Sequence, residues 1–236
     1  MKIALFGYGK MGKIIEKIAE ERGHKVVLKI QGHNTNYDLK QADMAIDFSV
    51  PSAAVANIKE ALNNQLPVVC GTTGWLNHYD KVETICQRKK GAFIYASNFS
   101  IGVNLFFELN QKLVKLMSAH PDYTPKIKEI HHAKKKDAPS GTAITLAEAL
   151  IEKSSYLNWC LGKSNDLKQL SIQSKRIDNV LGTHHVLYDS PIDSIEIIHT
   201  AKNRRGFGFG AVIAAEWLLG KTGVFSMKDV LNTNNF

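Results

Sequence analysis

Short apolar runs separated by helix-patterned stretches fill residues 1–99, and this alternation constrains the fold more than any other feature of the chain. The runs are Lys2–Phe6, Lys25–Ile30, 44–48, 67–70 and 92–96. Between them, residues 13–22 place Ile14, Ile15, Ile18 and Ala19 on one helical face, with Gly23 as a stop. Helices are likewise predicted at 53–63, after Pro51, and at 79–90. Strands that are apolar throughout are buried on both faces, and repeated β-α units imply a parallel sheet covered by helices on both sides. Residues 1–99 are therefore expected to form a Rossmann-type, doubly wound α/β domain.

Near Asn98 the pattern changes. Residues 103–117 carry Phe106, Leu109, Leu113 and Leu116 at helical spacing. A strand at 126–132, a Lys-rich loop and a helix at 142–153 follow. Further strands are predicted at 171–176, 184–188 and Ser194–Thr200, in an antiparallel or mixed sheet. Residues 100–207 are thus read as an α+β domain with a mixed sheet. The segment 154–166 is read as loop, and 211–219 as a helix, with 208–236 packing back on the first domain. The chain would cross between domains near 98–102 and 204–210, where Gly102, Gly206, Gly208 and Gly210 would ease backbone rotation.

The chain has 236 residues, of which 44% are hydrophobic, enough for a sizeable core. No apolar run is long enough for a membrane span, and the N-terminal run is too short for a signal peptide. Cys70, Cys86 and Cys160 are widely spaced, which fits a reducing, cytoplasmic setting and gives no metal-site spacing. The net charge of +8 is mostly dispersed, and no nucleic-acid-binding signature accompanies it, so neither nucleic acid nor membrane is expected as a partner.

Gly7-Tyr8-Gly9-Lys10-Met11-Gly12 is G-x-G-x-x-G between the first strand and the first helix. In that context it is a dinucleotide site: the glycines allow a tight turn and close approach to a pyrophosphate, and the helix N-terminus supplies N–H donors. No acidic residue ends the second strand, where Gln31 stands, so both NADH and NADPH fit. Lys10, Lys29 and His33 either meet a 2′-phosphate or form a solvated rim. The strand-end loops Gly71-Thr72-Thr73 and Ala96-Ser97-Asn98-Phe99 lie at the sheet edge where ligands of such folds bind, and Gly71 would let backbone approach the nicotinamide.

The second candidate region runs from Glu129 to Ala143, with His131, His132, Lys134, Lys135, Lys136 and Asp137 ahead of Pro139-Ser140-Gly141-Thr142. Ser140 is a natural N-cap, and the amides of Gly141 and Thr142 suit a carboxylate. Asp137 is expected to orient the loop by an Asx-type hydrogen bond. Adjacent strand residues point to opposite faces, so His131 and His132 share a pocket only if the strand geometry ends there. Positive charge, a titratable imidazole and open amides together suit a small anionic substrate that is protonated as it reacts.

The pattern His131-His132-x-x-Lys135-x-Asp137-Ala138-Pro139-Ser140-Gly141-Thr142-Ala143 resembles the dihydrodipicolinate reductases, which serve diaminopimelate and lysine biosynthesis. The Gly-rich turn, Ile46-Asp47-Phe48-Ser49, Gly71-Thr72-Thr73-Gly74, Asn98-Phe99-Ser100 and His199-x-Ala201 occur in the family's order. The resemblance implies that His131 is the proton donor and acceptor and that Lys135 is a second proton donor. It implies that His132, Gly141 and Thr142, with Ser140 beside them, hold a dicarboxylate. It also implies NADH or NADPH as cofactor and a homotetramer assembled through the second domain's sheet. Where the family often has Gly-Glu-His, this chain has Gly182-Thr183-His184, which leaves any role of that acid in doubt. The rival readings are a reductase of another small carboxylate and a non-catalytic nucleotide sensor.

Overall fold

The computed structural model describes residues 1–32 and 36–233. In chain order the elements are β1 (Lys2–Phe6), α1 (Lys10–Glu21), β2 (Lys25–Ile30), β3 (Met44–Asp47), α2 (Pro51–Asn63), β4 (Val68–Cys70), α3 (Tyr79–Arg88) and β5 (Ala92–Tyr95). There follow α4 (Ile101–Met117), β6 (Thr124–His131), α5 (Gly141–Glu152), β7 (Asn158–Leu161), β8 (Gln169–Arg176), β9 (Thr183–Asp189) and β10 (Ser194–Thr200). The last elements are α6 (Arg205–Leu218), β11 (Gly223–Phe225) and α7 (Met227–Val230). They divide into two compact units, one of residues 1–101 and 205–236, the other of residues 102–204.

The first unit is a parallel six-stranded sheet in the order β11-β5-β4-β3-β1-β2. Side chains alternate across it. Ala4, Phe6, Ala45 and Val68 face α2 and α3, where Ile58, Leu62, Val82 and Cys86 complete one core. Ile3, Leu5, Met44 and Ile46 face α1 and α6, where Ile15, Ile18, Val212 and Leu218 complete the other. The apolar runs of the sequence thus follow from burial on both sides.

The sheet has one strand more than the sequence pattern indicates. β11 adds beside β5, and its three half-buried residues are too few to show a period. Helix α6 starts at Arg205 instead of 211, so Gly206, Gly208 and Gly210 lie inside a helix, not in a hinge. A Cβ on Gly208 would sit 2.9 Å from Ile14, and one on Gly210 would sit 1.7 Å from the Phe99 carbonyl oxygen. These glycines serve close packing of α6 on α1 and on the loop after β5.

The second unit is a mixed five-stranded sheet in the order β10-β9-β6-β8-β7. β6 runs antiparallel to β9 and parallel to β8. One face packs Ile127, Ile172 and Val186 against Phe106, Leu113, Leu146 and Leu150 of α4 and α5. The predicted loop 154–166 contains β7, an edge strand paired with β8. Its four residues are all exposed or half-buried, so no apolar alternation marks it. Among the described residues no helix is long and apolar enough to cross a membrane.

Candidate functional site

In the first unit, β1 runs into Gly7, whose φ of +89° and whose approach to Phe48 both exclude a side chain: a Cβ would lie 2.2 Å from the Phe48 carbonyl oxygen. A Cβ on Gly12 would meet the Gly7 carbonyl oxygen at 2.4 Å, so the helix starts tight against the turn. Gly9 differs, because among the described residues nothing beyond its chain neighbours comes within 4 Å of where its Cβ would be. Gly9 is also the N-cap of α1 and gives no side-chain cap, so no side chain at that position satisfies the amides of the first turn. A cleft of about 860 Å³ lies there, bounded by Gly7, Tyr8, Gly9, Gln31, Ser49 and Asn57 among others. Room beside Gly9, uncapped amides and no acid in the first turn fit a pyrophosphate.

Asp47, at the end of β3, is fully buried and organises this edge. Its Oδ1 accepts from the Ser49 amide at 2.9 Å, the Ser49 hydroxyl at 2.7 Å and the Thr72 hydroxyl at 2.6 Å, while Oδ2 accepts from Asn57 Nδ2 at 2.9 Å. One carboxylate thereby ties the loops after β3 and β4 to α2. Asp47 stands in the family-like Ile46-Asp47-Phe48-Ser49, but no local pattern marks it for this role.

The other expected cofactor residues divide. Tyr8 donates its hydroxyl to Glu16, and Lys29 pairs with Glu16 and lies 4.7 Å from the centre of the Tyr8 ring. Lys29 is thus engaged within the protein, Lys10 is exposed on the first turn of α1, and His33 lies outside the described residues. The space a Gly71 side chain would need is filled by the Phe48 ring at 2.3 Å, so that glycine answers to protein packing. Thr72 is buried on Asp47, and Thr73 is exposed. After β5, Ala96 and Asn98 are half-buried and Ser97 is exposed, whereas the Phe99 side chain is buried in the core. Met11 is half-buried on α1.

In the second unit, β6 ends at His131, so His132 lies beyond the regular strand. His131 and Glu129 stand two residues apart on one face of β6, and both are buried. His131 Nδ1 is in direct contact with Glu129 Oε2, and Arg176 Nη1 lies 2.9 Å from Oε1. Both are close contacts without the angles of directed hydrogen bonds. Burial drives the Glu129 carboxyl up, but His131, Ser174 and Arg176 together outweigh it and bring it down to about 2. Glu129 is therefore an anion at neutral pH.

His184 is the cross-strand neighbour of Glu129 on β9, and its ring meets that of His131 edge to face at 5.0 Å. Burial first, then repulsion from His131, pushes its imidazole down to about 3, so it is neutral. Its Nε2 is 3.1 Å from the Ser140 hydroxyl. Ser140 caps α5, accepting from the Ala143 amide at 3.3 Å. Its carbonyl takes the Ile144 amide, and among the described residues the amides of Gly141 and Thr142 have no acceptor. Gly141 is exposed, with open space where a side chain would be.

Lys135 Nζ pairs with the Asp137 carboxylate at 2.8 Å, and the backbone turns there through a Lys135 amide to His132 carbonyl bond of 3.1 Å. Asp137 thus orients the loop by a salt bridge and not by the expected Asx bond. Lys134 and Lys136 are exposed. Thr183 donates its hydroxyl to Thr200 across β9 and β10 at 3.3 Å. Sequence reasoning missed Glu129, Arg176 and His184 as site residues. Glu129 had a signal, a charged residue two before His131 on the face of an alternating strand that also carries Ile127. Arg176 had none locally, and His184 only stood in the family-like Gly182-Thr183-His184; pairing with β6 brings both in.

A Gly-rich turn on a parallel sheet, joined to a unit that gathers a buried imidazole, a lysine and open helix amides, defines a two-domain, nicotinamide-dependent oxidoreductase. The comparisons make this specific. Residues 1–99 match the family described as dihydrodipicolinate reductase, N-terminus, and residues 102–231 match dihydrodipicolinate reductase, C-terminus. The chain belongs to the dihydrodipicolinate reductase family. It is 54% identical over 235 residues to the 4-hydroxy-tetrahydrodipicolinate reductase of Christiangramia forsetii, covering 98% of each chain. It is 36% identical over 232 residues to that of Rickettsia rickettsii, covering 94% of this chain and 95% of the other. The fold is that of the dipicolinate-bound dihydrodipicolinate reductase from Paenisporosarcina sp. TG-14, with a TM-score of 0.76 at 20% identity over 96% of this chain and 97% of the other.

Proposed function

We propose that the protein reduces the cyclic imine 4-hydroxy-tetrahydrodipicolinate to tetrahydrodipicolinate with NADH or NADPH, in the biosynthesis of diaminopimelate and lysine. The reaction consumes one reduced nicotinamide and one proton, the ring loses its hydroxyl as water, and the oxidised nicotinamide is released. When bound, the nicotinamide supplies the hydride. The observation that carries this reading is the pairing of His131 with ionised Glu129 next to the open amides of Gly141 and Thr142, in a chain 54% identical to a reductase of that name.

The residues divide the work. Gly7, Tyr8, Gly9, Lys10, Met11 and Gly12 cradle the pyrophosphate, and Asp47 holds the loop of Thr72 and Thr73 in place beside them. The first-turn amides at Gly141 and Thr142, with Ser140 and His132, take a substrate carboxylate. Lys135 exchanges the Asp137 carboxylate for a substrate carboxylate, which is cheap because an exposed pair contributes little. His131 keeps its Nδ1–H on Glu129, and Nε2 is the atom that takes up and gives away the transferable proton. The protein works in the cytoplasm as a homotetramer.

The test is oxidation of NADH or NADPH in the presence of the cyclic imine generated in place from pyruvate and aspartate semialdehyde. Turnover that requires both precursors, and is inhibited competitively by pyridine-2,6-dicarboxylate, is expected. Cofactor binding without turnover would sink the assignment.

A further inference from the structure

The carboxylate of Glu129 is fully buried in the middle of the second unit's sheet, where an anion persists only against a cation. Arg176 is that cation, and it does two things. Its Nη1 lies on Glu129 Oε1 at 2.9 Å, and its Nη2 donates to the Asp137 backbone carbonyl at 2.6 Å. Asp137 in turn holds Lys135. A single guanidinium therefore touches both the partner of His131 and the loop that carries Lys135. The register of β6 on β8 sets Arg176 directly beside His131.

We infer that Glu129 and Arg176 act as one positioning pair, fixing the ring of His131 with its proton on Nδ1 and its Nε2 edge free, and anchoring the Lys135 loop by the Asp137 carbonyl. This rests on the proposed role of His131 and adds two residues to it. A carboxylate only accepts, so the ring nitrogen against it carries a hydrogen. The Nε2 edge faces Gly182, where a Cβ would lie 3.0 Å from the nitrogen, so glycine keeps that edge clear. Glu129, His131 and His184 also bring ligand atoms within 4.8 Å of one another, as a metal site would. Here Arg176 already supplies the positive charge, and Ser140 occupies His184 Nε2.

Glu129→Gln separates positioning from folding. Arg176 donates only, so it draws the amide carbonyl to its side and turns the amide NH₂ toward His131 Nδ1. Nδ1 must then accept, and the ring hydrogen moves to Nε2. Adding Arg176→Met frees the amide to rotate, and its carbonyl again takes Nδ1–H. Protein labelled with ¹⁵N-histidine reads the tautomer directly, with the His131 signals identified by their loss in His131→Asn. At alkaline pH the parent should show Nδ1–H, Glu129→Gln should show Nε2–H, and the double variant Nδ1–H. Turnover should fall at least about 10-fold in Glu129→Gln, since a ring whose Nδ1 must accept from the amide cannot also take up and release a second proton at Nε2, and recover in part in the double variant. The KM for cofactor should stay within about 2-fold, because binding is untouched. The same tautomer in parent and Glu129→Gln would overturn the inference. A tautomer switch with unchanged turnover would uphold the positioning and instead remove His131 from the proposed reaction. Should Glu129→Gln not fold, Arg176→Met alone decides: amide hydrogen exchange at residues 133–137 should rise and turnover should drop, and no change in either would overturn the inference.

Discussion

At the scale of single residues, the site places ionisable groups in contrasting surroundings. Glu129 is held down to about 2 and His184 to about 3, against ordinary values of 4.5 and 6.5. Both groups are lowered on folding, so the unfolded chain binds protons that the folded chain refuses, and stability falls as pH falls. The His184 contribution is present above about 6.5 and is lost toward about 3, and the Glu129 contribution is lost from about 4.5 toward about 2. Thermal melts should therefore show Tm decreasing below pH 6.5, with a cost of the order of a few kcal/mol from a buried imidazole. The His184→Gln variant should show a shallower decline between pH 6.5 and 4.5, and an unchanged slope would mean that the imidazole is not kept neutral by burial. Lys135 and Asp137 form a more exposed pair. Lys135→Met should lower kcat/KM about 10-fold or more, whereas Asp137→Asn should change it less than about 3-fold. Steady-state kinetics with the cyclic imine checks both.

At the scale of elements, the same small residue serves opposite ends in two helices. Gly9 opens α1 onto empty space, and Gly210 lets α6 press on the Phe99 carbonyl. Gly9→Ala should leave Tm within about 2 °C of the parent, as at a neutral surface site, and weaken cofactor binding at least about 10-fold by filling the pyrophosphate's place. Gly210→Ala should do the reverse, costing roughly 1–3 kcal/mol of stability through overpacking. Calorimetry and cofactor titration on both variants check the pair. If Gly9→Ala binds cofactor normally, the pyrophosphate does not sit on this turn. The contrast also shows what the sequence can reveal. The βα alternation, the glycine turn and the Ser140 cap were legible because each is a local pattern with a local cause. The glycines of α6 were misread as hinge residues because their cause is a neighbour distant in sequence. The same holds for the approach of Arg176 and His184 to Glu129, which depends on strand register: a slip of one residue would turn each to the opposite face. β7 escaped notice because an edge strand with no buried residue leaves no periodic trace.

At the scale of the whole molecule, the second unit's sheet has an edge that invites company. β10 is an outer strand, with Ile198 and Ile195 exposed by 52% and 42%. An exposed apolar edge strand is an association hazard unless it is covered. In the proposed tetramer this surface is buried between copies. Ile198→Glu should lower the mass measured by light scattering while leaving the far-ultraviolet dichroism intact. A variant of unchanged mass would place the assembly surface elsewhere.

The first unit is sewn from both ends of the chain, and this has a consequence for synthesis. Ile3, Leu5, Met44 and Ile46 pack against α6, and β5 gains its outer neighbour β11, only after the entire second unit has been translated. A ribosome thus delivers the cofactor half first, with that apolar face covered by α1 alone until α6 emerges from the exit tunnel. Exposed apolar surface of that kind is prone to aggregate, and a premature stop before Arg205 would leave the first unit in that state.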